Sequence, residues 1–194
     1  MPPQIIFQLQ LVLGYVAWLL CFKVYLSPRL RSMDRFGAQR AIATLHSFRF
    51  FGLAFIVPGV VGPHLPAGFA EFAAYGDFAT GVLAILALLA ARMRPVFLVL
   101  VVAFNLVGTV DLVLDYYHAI RLGLPELAGQ LGATYAIPII YVPLLMITHV
   151  AAFCLLVHPR GETGKATTSE GANTFSRNCG LPGISCGQRD GGDA

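Results

Sequence analysis

Six polar or ionisable residues interrupt the apolar stretches of this sequence. They lie between positions 46 and 149: His46, Arg49, Asp77, Asn105, Asp111 and His149. Histidines and carboxylates can exchange protons or bind cations, and a pair of histidines can ligate a haem iron. In a membrane-spanning helix such side chains are costly, and they usually face the interior of the bundle. We therefore take these six as the candidate polar cluster.

The composition indicates that the cluster lies in a membrane protein. Of 194 residues, 57% are hydrophobic and only 12% are charged, with a mean hydropathy of +0.72. A soluble domain carries about 25% charged residues, so too little charge is present here to cover a water-soluble surface. The net charge of +3 is too small to argue for nucleic-acid binding. We expect the lipid bilayer to be the main partner and no nucleic acid to bind.

Five apolar segments are long enough to position these residues across a bilayer. They cover approximately residues 5–25, 42–61, 68–91, 95–117 and 134–157. Crossing a bilayer takes about 20 apolar residues in a helix, so each segment supplies one span. The sequence therefore predicts an all-α integral membrane protein, a bundle of about five transmembrane helices.

Breaks between the segments support this count. Gly62, Pro63 and Pro66 predict a tight turn between the second and third helices, which would make those two helices an antiparallel hairpin. Two arginines followed by Pro95 separate the third helix from the fourth. The first apolar run has no basic residue before it and is followed by Lys23, so we interpret it as a retained helix and not as a cleaved signal.

The basic residues predict an orientation for the five helices. Five Lys or Arg residues lie between positions 23 and 40, and none lies between 62 and 67. Arg92 and Arg94 separate the third and fourth helices, and Arg160 follows the last one. Lys and Arg concentrate in cytoplasmic loops. With five spans, the N-terminus is therefore expected outside and the C-terminus in the cytosol of a cell with a bacterial-type inner membrane.

The chain beyond the last helix has a different composition. Residues 158–194 are rich in Gly, Ser, Thr and Asn, and we expect a disordered cytosolic tail. Cys179 and Cys186 lie in this tail, whereas Cys21 and Cys154 lie in apolar segments. No CxxC pair is present, and a flexible tail makes free thiols the simplest interpretation. No metal site is predicted.

The spacing of the cluster predicts specific contacts. His46 and Arg49 are three residues apart and share one helix face, and His149 lies at a similar depth on the last helix. An arginine buried in a membrane is much less costly when it is paired, and its long side chain can reach a deeper carboxylate. We predict a buried ion pair between Arg49 and Asp77.

Asp111 is expected to lie further from Arg49. Counted from the expected cytosolic helix ends, Arg49 is about 11 Å deep and Asp111 about 24 Å deep. Asp115 follows Asp111 by one turn, which predicts a like-charge pair near the outer surface. Small residues flank Asp77 at spacings of three and four and predict a close helix contact. They are Ala70, Ala73, Gly81 and Ala84.

Three hypotheses remain open for the polar cluster. It can lock the helices together, it can relay protons or bind an ion in a small-solute transporter, or His46 and His149 can hold a haem as axial ligands. We found no glycine-rich nucleotide loop, nucleophile elbow or HExxH motif, so the sequence gives no support for an enzyme. We therefore favour the first hypothesis and predict no cofactor, leaving a helix-mediated oligomer or membrane partner open.

Overall fold

The computed structural model describes residues 1–157, and this part of the chain is helical with no β-strand. Six α-helices are present in these residues: α1 Pro3–Cys21, α2 Ser27–Ser32, α3 Arg35–His46, α4 Ala67–Leu89, α5 Arg94–Arg121 and α6 Val142–Val157. The helical class predicted from the sequence is therefore confirmed. The predicted tail, 158–194, with its two cysteines, lies outside the described residues.

Shorter helical turns extend or join these helices. π-helical turns cover Phe22–Leu26 and Ile137–Tyr141, and 3₁₀ helices cover Ser47–Ile56, Ala90–Arg92 and Ala128–Tyr135. With these extensions, four helical segments in the described residues are long and apolar enough to cross a membrane. They are Pro3–Ser32, Ala67–Arg92, Arg94–Arg121 and Ile137–Val157.

The second predicted helix, 42–61, differs most from the structure. The helical segment there begins at Arg35, changes from α to 3₁₀ geometry after His46 and ends at Ile56. Asp34 explains the early start because its side chain accepts a hydrogen bond from the Gly37 backbone N–H and caps α3. This segment is not among the four above, since its first half is polar.

The α3 part of this segment nevertheless runs along α6 in the opposite direction. Near its start, Arg35 Nη2 donates to the Leu156 carbonyl at 3.1 Å, close to the end of α6. Eleven residues further on, His46 contacts the Thr148 hydroxyl near the middle of α6. The α3–3₁₀ segment and α6 are therefore antiparallel neighbours.

The connecting segments gather at two opposite ends of the bundle. At one end, which we call the basic end, the Arg94 guanidinium lies 4.8 Å from the centre of the Phe36 ring. At the other, the far end, the Gly62 N–H donates to the Gln130 carbonyl at 2.6 Å, and the His64 N–H donates to the side chain of the same Gln130. The loop before α4 and the segment before α6 thus pack against each other.

Two apolar clusters form the interior. The basic-end core consists of Ile42, Ala43, Ala84, Ala87, Phe97, Val101, Phe104 and Ala152. The far-end core consists of Phe7, Phe55, Leu65, Phe69, Ala70, Ala73, Ala74, Leu124, Ala128, Leu131 and Ile137. The small residues predicted to line α4 are all buried, so α4 does provide a close-packed face. The candidate site lies between the two cores.

Candidate functional site

Arg49 is the centre of a buried polar network. Its side chain is fully buried in the 3₁₀ helix, and its Nε donates to Asp77 Oδ1 at 2.6 Å. Its Nη2 donates to Asp111 Oδ2 at 2.5 Å, and its Nη1 lies 3.3 Å from both the Gly108 carbonyl and His149 Nε2. One guanidinium thus contacts α4, α5 and α6. We call Arg49, Asp77, Asn105, Asp111 and His149 the Arg49 network.

The hydrogen bonds of His149 define its tautomer. An arginine can only donate, so His149 Nε2 accepts from Arg49. The other ring nitrogen, Nδ1, lies 2.9 Å from Asn105 Oδ1, and the Asn105 amide nitrogen donates to the Val101 carbonyl at 2.7 Å. Nδ1 must therefore carry the proton and donate to Asn105. His149 is a neutral imidazole in this arrangement.

His46 contacts the network through its ring. The Thr148 hydroxyl donates to the Leu144 or Leu145 carbonyl, so it accepts from His46 Nε2, which lies 3.0 Å away. His46 Nδ1 then keeps a lone pair, and this buried nitrogen has no hydrogen-bond partner in residues 1–157. The rings of His46 and His149 lie 4.1 Å apart, centre to centre. The predicted layer of His46, Arg49 and His149 is therefore present.

Glycines make room for the charged groups. A methyl group added at Gly108 would lie 2.6 Å from Arg49 Nη1 and 2.7 Å from His149 Nε2. At Gly76 and Gly52 it would collide with the carboxylates of Asp111 and Asp77, respectively. Only glycine lets the backbone approach the network this closely at these three positions.

The contact between Arg49 and Asp111 was not expected from the sequence. The predicted Arg49–Asp77 pair is present, but Asp111 also binds Arg49 and was expected well above it. The depth was wrong because the helical segment begins at Arg35 and continues in 3₁₀ geometry. Counted along this path, Arg49 lies about 23 Å from the segment start, close to the depth of Asp111.

The network contains more acid than base. Two carboxylates share one guanidinium, and the second oxygen of Asp111, Oδ1, is buried without a hydrogen-bond partner in residues 1–157. Asp115 Oδ1 is also buried and without a partner in this part of the chain. An unpaired buried carboxylate is unstable unless it takes up a proton or a cation. The site can therefore exchange a proton or accept a positive charge.

A cavity of about 210 Å³ reaches the network from the far end. Its wall is formed by α1, the 3₁₀ helix Ser47–Ile56, α4, α5 and the residues around the π-helical turn Ile137–Tyr141, and it is almost entirely apolar. Asp77 and Asp115 contribute the charged atoms of the lining, and within residues 1–157 no Lys, Arg or His lines it. Asp77 thus contacts Arg49 and also borders the cavity.

The geometry does not accommodate a haem between His46 and His149. The two rings contact each other directly, and their Nε2 atoms contact Thr148 and Arg49. A porphyrin between them would require α3 and α6 to separate. An absorption spectrum of the purified protein tests this hypothesis, because bound haem gives an intense Soret band.

The structure brings all six candidate residues into one connected region. Sequence reasoning missed two partners, the Thr148 hydroxyl and the Gly108 carbonyl. It also missed the buried Gln39, whose amide donates to the Ala152 carbonyl at 2.9 Å. A single Thr or Gly in an apolar helix carries no distinguishing signal. Gln39 lies in a polar stretch that was assigned to a loop. His64 and His118 lie apart from the network.

In residues 1–157 the fold and the site define an all-helical protein class, with four helices apolar enough to cross a membrane and a buried arginine–aspartate network. The chain belongs to the family described as "Domain of unknown function (DUF8737)", whose model matches residues 6–157. The match covers all six α-helices except the first three residues of α1. No curated protein and no solved structure matches the chain.

Proposed function

We propose that this chain is a multi-pass protein of a bacterial-type inner membrane. It has five spans, namely the four helical segments given above and, between the first and second of these, Arg35–Ile56. Its length supports this, because twelve α-helical and ten 3₁₀ residues extend about 38 Å, more than the bilayer core. Its antiparallel path along α6 agrees with a full crossing. Five crossings place the N-terminus outside and keep the basic loops in the cytosol. A cysteine-accessibility map in which a cysteine placed at position 160 is labelled from outside the cell would overturn this topology.

The bilayer is the partner that suits the outer surface. Large apolar side chains are exposed along α1 and α5, including Leu9, Leu13, Leu20, Val99 and Val110. A soluble monomer rarely exposes so much contiguous apolar surface. Lipid chains would cover these residues in the proposed arrangement.

We propose further that the Arg49 network holds the helices of the bundle in register. The observation that carries this proposal is the single buried guanidinium with partners on α4, α5 and α6. Removal of Arg49 leaves two buried carboxylates without their cation, and breaking a buried ion pair in this way costs about 3–5 kcal/mol. Removal of all charges together leaves no such defect.

Charge neutralisation tests this role. We expect Arg49→Met to lose most of the monodisperse protein in detergent chromatography, because two buried carboxylates lose their cation. The triple variant Arg49→Met, Asp77→Asn, Asp111→Asn should recover most of it. Arg40→Met, which removes an exposed arginine of the same helical segment, is the matched control and should behave as the wild type. A triple variant that folds no better than Arg49→Met would contradict the proposal.

A second candidate function is proton-coupled transport of a small solute. The observation that favours it is the excess of carboxylates over cations, with Asp111 Oδ1 unpartnered and Asp77 bordering the cavity. A network with two carboxylates and one guanidinium is neutral only when it holds one proton. Such a proton can leave when a cation arrives.

Proteoliposomes distinguish the two candidates. If the protein is a proton-coupled transporter, a pH-sensitive dye inside the vesicles should report proton movement with the wild type. Asp111→Asn should abolish this movement while the folded yield stays near normal. Asp34→Asn, which changes an exposed carboxylate at the start of α3, is the control. Equal proton movement in empty vesicles and in vesicles with the wild type would remove the transport candidate.

A further inference from the structure

The cavity at the far end has the chemistry of a binding site for an organic cation. Phe7 on α1, Phe55 in the 3₁₀ helix Ser47–Ile56 and Phe69 on α4 supply aromatic walls. Asp77 and Asp115 supply carboxyl groups, while no positive side chain of residues 1–157 reaches the lining. Aromatic faces and carboxylates both attract cations, so the lining is complementary to one class of ligand.

Asp115 is the group that lacks a partner. Both ion pairs found in residues 1–157 use Arg49, and neither of them includes Asp115. Its Oδ1 is buried and accepts no hydrogen bond from these residues, although Asp115 lines the cavity. Asp77 is also buried and gives one oxygen to Arg49. A cation in the cavity would therefore bring a positive charge next to Asp115 without displacing Arg49.

The volume limits the size of the ligand. A cavity of about 150 Å³ lined by apolar side chains accommodates benzene in another protein. The present cavity of about 210 Å³ has room for one ring or a short alkyl chain and an ammonium group. An ammonium carries three donors, which suits an acidic end in an otherwise apolar pocket.

We propose that this cavity binds an organic monocation consisting of a protonated amine on a small apolar body, with Asp115 as its counter-ion. The bilayer can supply such a molecule past α1, which forms one wall and lies at the periphery of the described bundle. Only 6% of the residues in the apolar window of the α1 segment are buried, against 39% in that of the α4 segment. Binding of this cation requires the cavity and its carboxylates. The proposal goes beyond the helix-locking role proposed for Arg49.

Matched small molecules test the proposal on the full-length protein in detergent. We expect 2-phenylethylammonium to bind in isothermal calorimetry and to raise the unfolding temperature. The neutral 2-phenylethanol, of nearly equal size, should bind at least about tenfold more weakly, because it forms no ion pair with Asp115. Equal affinity for the two compounds would show an apolar pocket for lipid chains or other neutral molecules and would overturn the proposal.

Three variants locate the site. Asp115→Asn should weaken binding of 2-phenylethylammonium about tenfold. Ala73→Leu should abolish binding with all charges intact, because Ala73 lines the cavity and a larger side chain would fill it. Glu71→Gln, an exposed carboxylate on α4 outside this cavity, should bind as the wild type. Unchanged binding in either of the first two variants contradicts the proposal.

The result of these binding experiments is independent of the helix-locking role proposed for Arg49. If the triple neutral variant at Arg49 fails to recover folding while the wild type binds the cation selectively, only the role of Arg49 is overturned. If that variant recovers but the wild type shows no preference for the ammonium, only the cation site is overturned.

Discussion

The two halves of the bundle differ in how their interiors are filled. In the basic-end core Phe97, Val101, Phe104 and the alanines facing them are almost completely buried. In the far-end core aromatic residues surround a cavity of about 210 Å³ that two carboxylates border. Dense packing favours a single arrangement of side chains, whereas an apolar void bordered by two carboxylates favours the binding of a ligand. Stability and binding are therefore expected to reside in different halves, with the Arg49 network between them.

The largest expected difference follows from truncating one phenylalanine in each half. Phe97→Ala should lower the free energy of unfolding by about 3–5 kcal/mol, because a fully buried ring leaves a void that cannot collapse. Phe69→Ala should cost clearly less, because Phe69 already faces the cavity and loses fewer contacts. Denaturation of both variants in detergent gives the two values. Equal losses would contradict the difference in packing.

Enlarging an alanine gives the second largest contrast. Ala84→Leu in the basic-end core should destabilise the protein by about 1–3 kcal/mol through overpacking. Ala73→Leu, on the same helix but lining the cavity, should leave the melting temperature unchanged or raise it. A lower melting temperature for Ala73→Leu than for Ala84→Leu would show that the cavity is not available space.

The smallest expected effect concerns the attachment of α1 to the far-end half. The hydroxyls of Tyr15 on α1 and Tyr116 on α5 lie 2.8 Å apart, and Tyr116 lines the cavity. Tyr15→Phe should cost about 1 kcal/mol and increase amide hydrogen exchange in α1. Tyr25→Phe, at a residue that is 70% exposed, is the control and should change neither. Faster amide hydrogen exchange in Tyr25→Phe as well would show that the effect does not depend on the contact between Tyr15 and Tyr116.

Much of the fold follows from the sequence. The apolar segments, the glycine and proline turn before α4 and the arginines before α5 determine where the long helices begin and end. The Arg49–Asp77 pair is also predictable, because a buried arginine requires a carboxylate and Asp77 lies among small residues. These features depend on the local composition and on the cost of burying charge, and both can be read along the chain.

The tertiary structure decided which partners share the arginine. Asp111 reaches Arg49 mainly because the segment begins at Arg35, seven residues before the predicted start, which adds about 10 Å to the depth of Arg49. The 3₁₀ geometry after His46 adds only about 2 Å. Which carboxylates then lie level with Arg49 depends on how α4 and α5 pack against this segment. Gly108 and Thr148 join the site because α5 and α6 pack against this segment. The sequence by itself determined which helices carry polar groups, and packing between helices determined which groups meet and where a cavity remains.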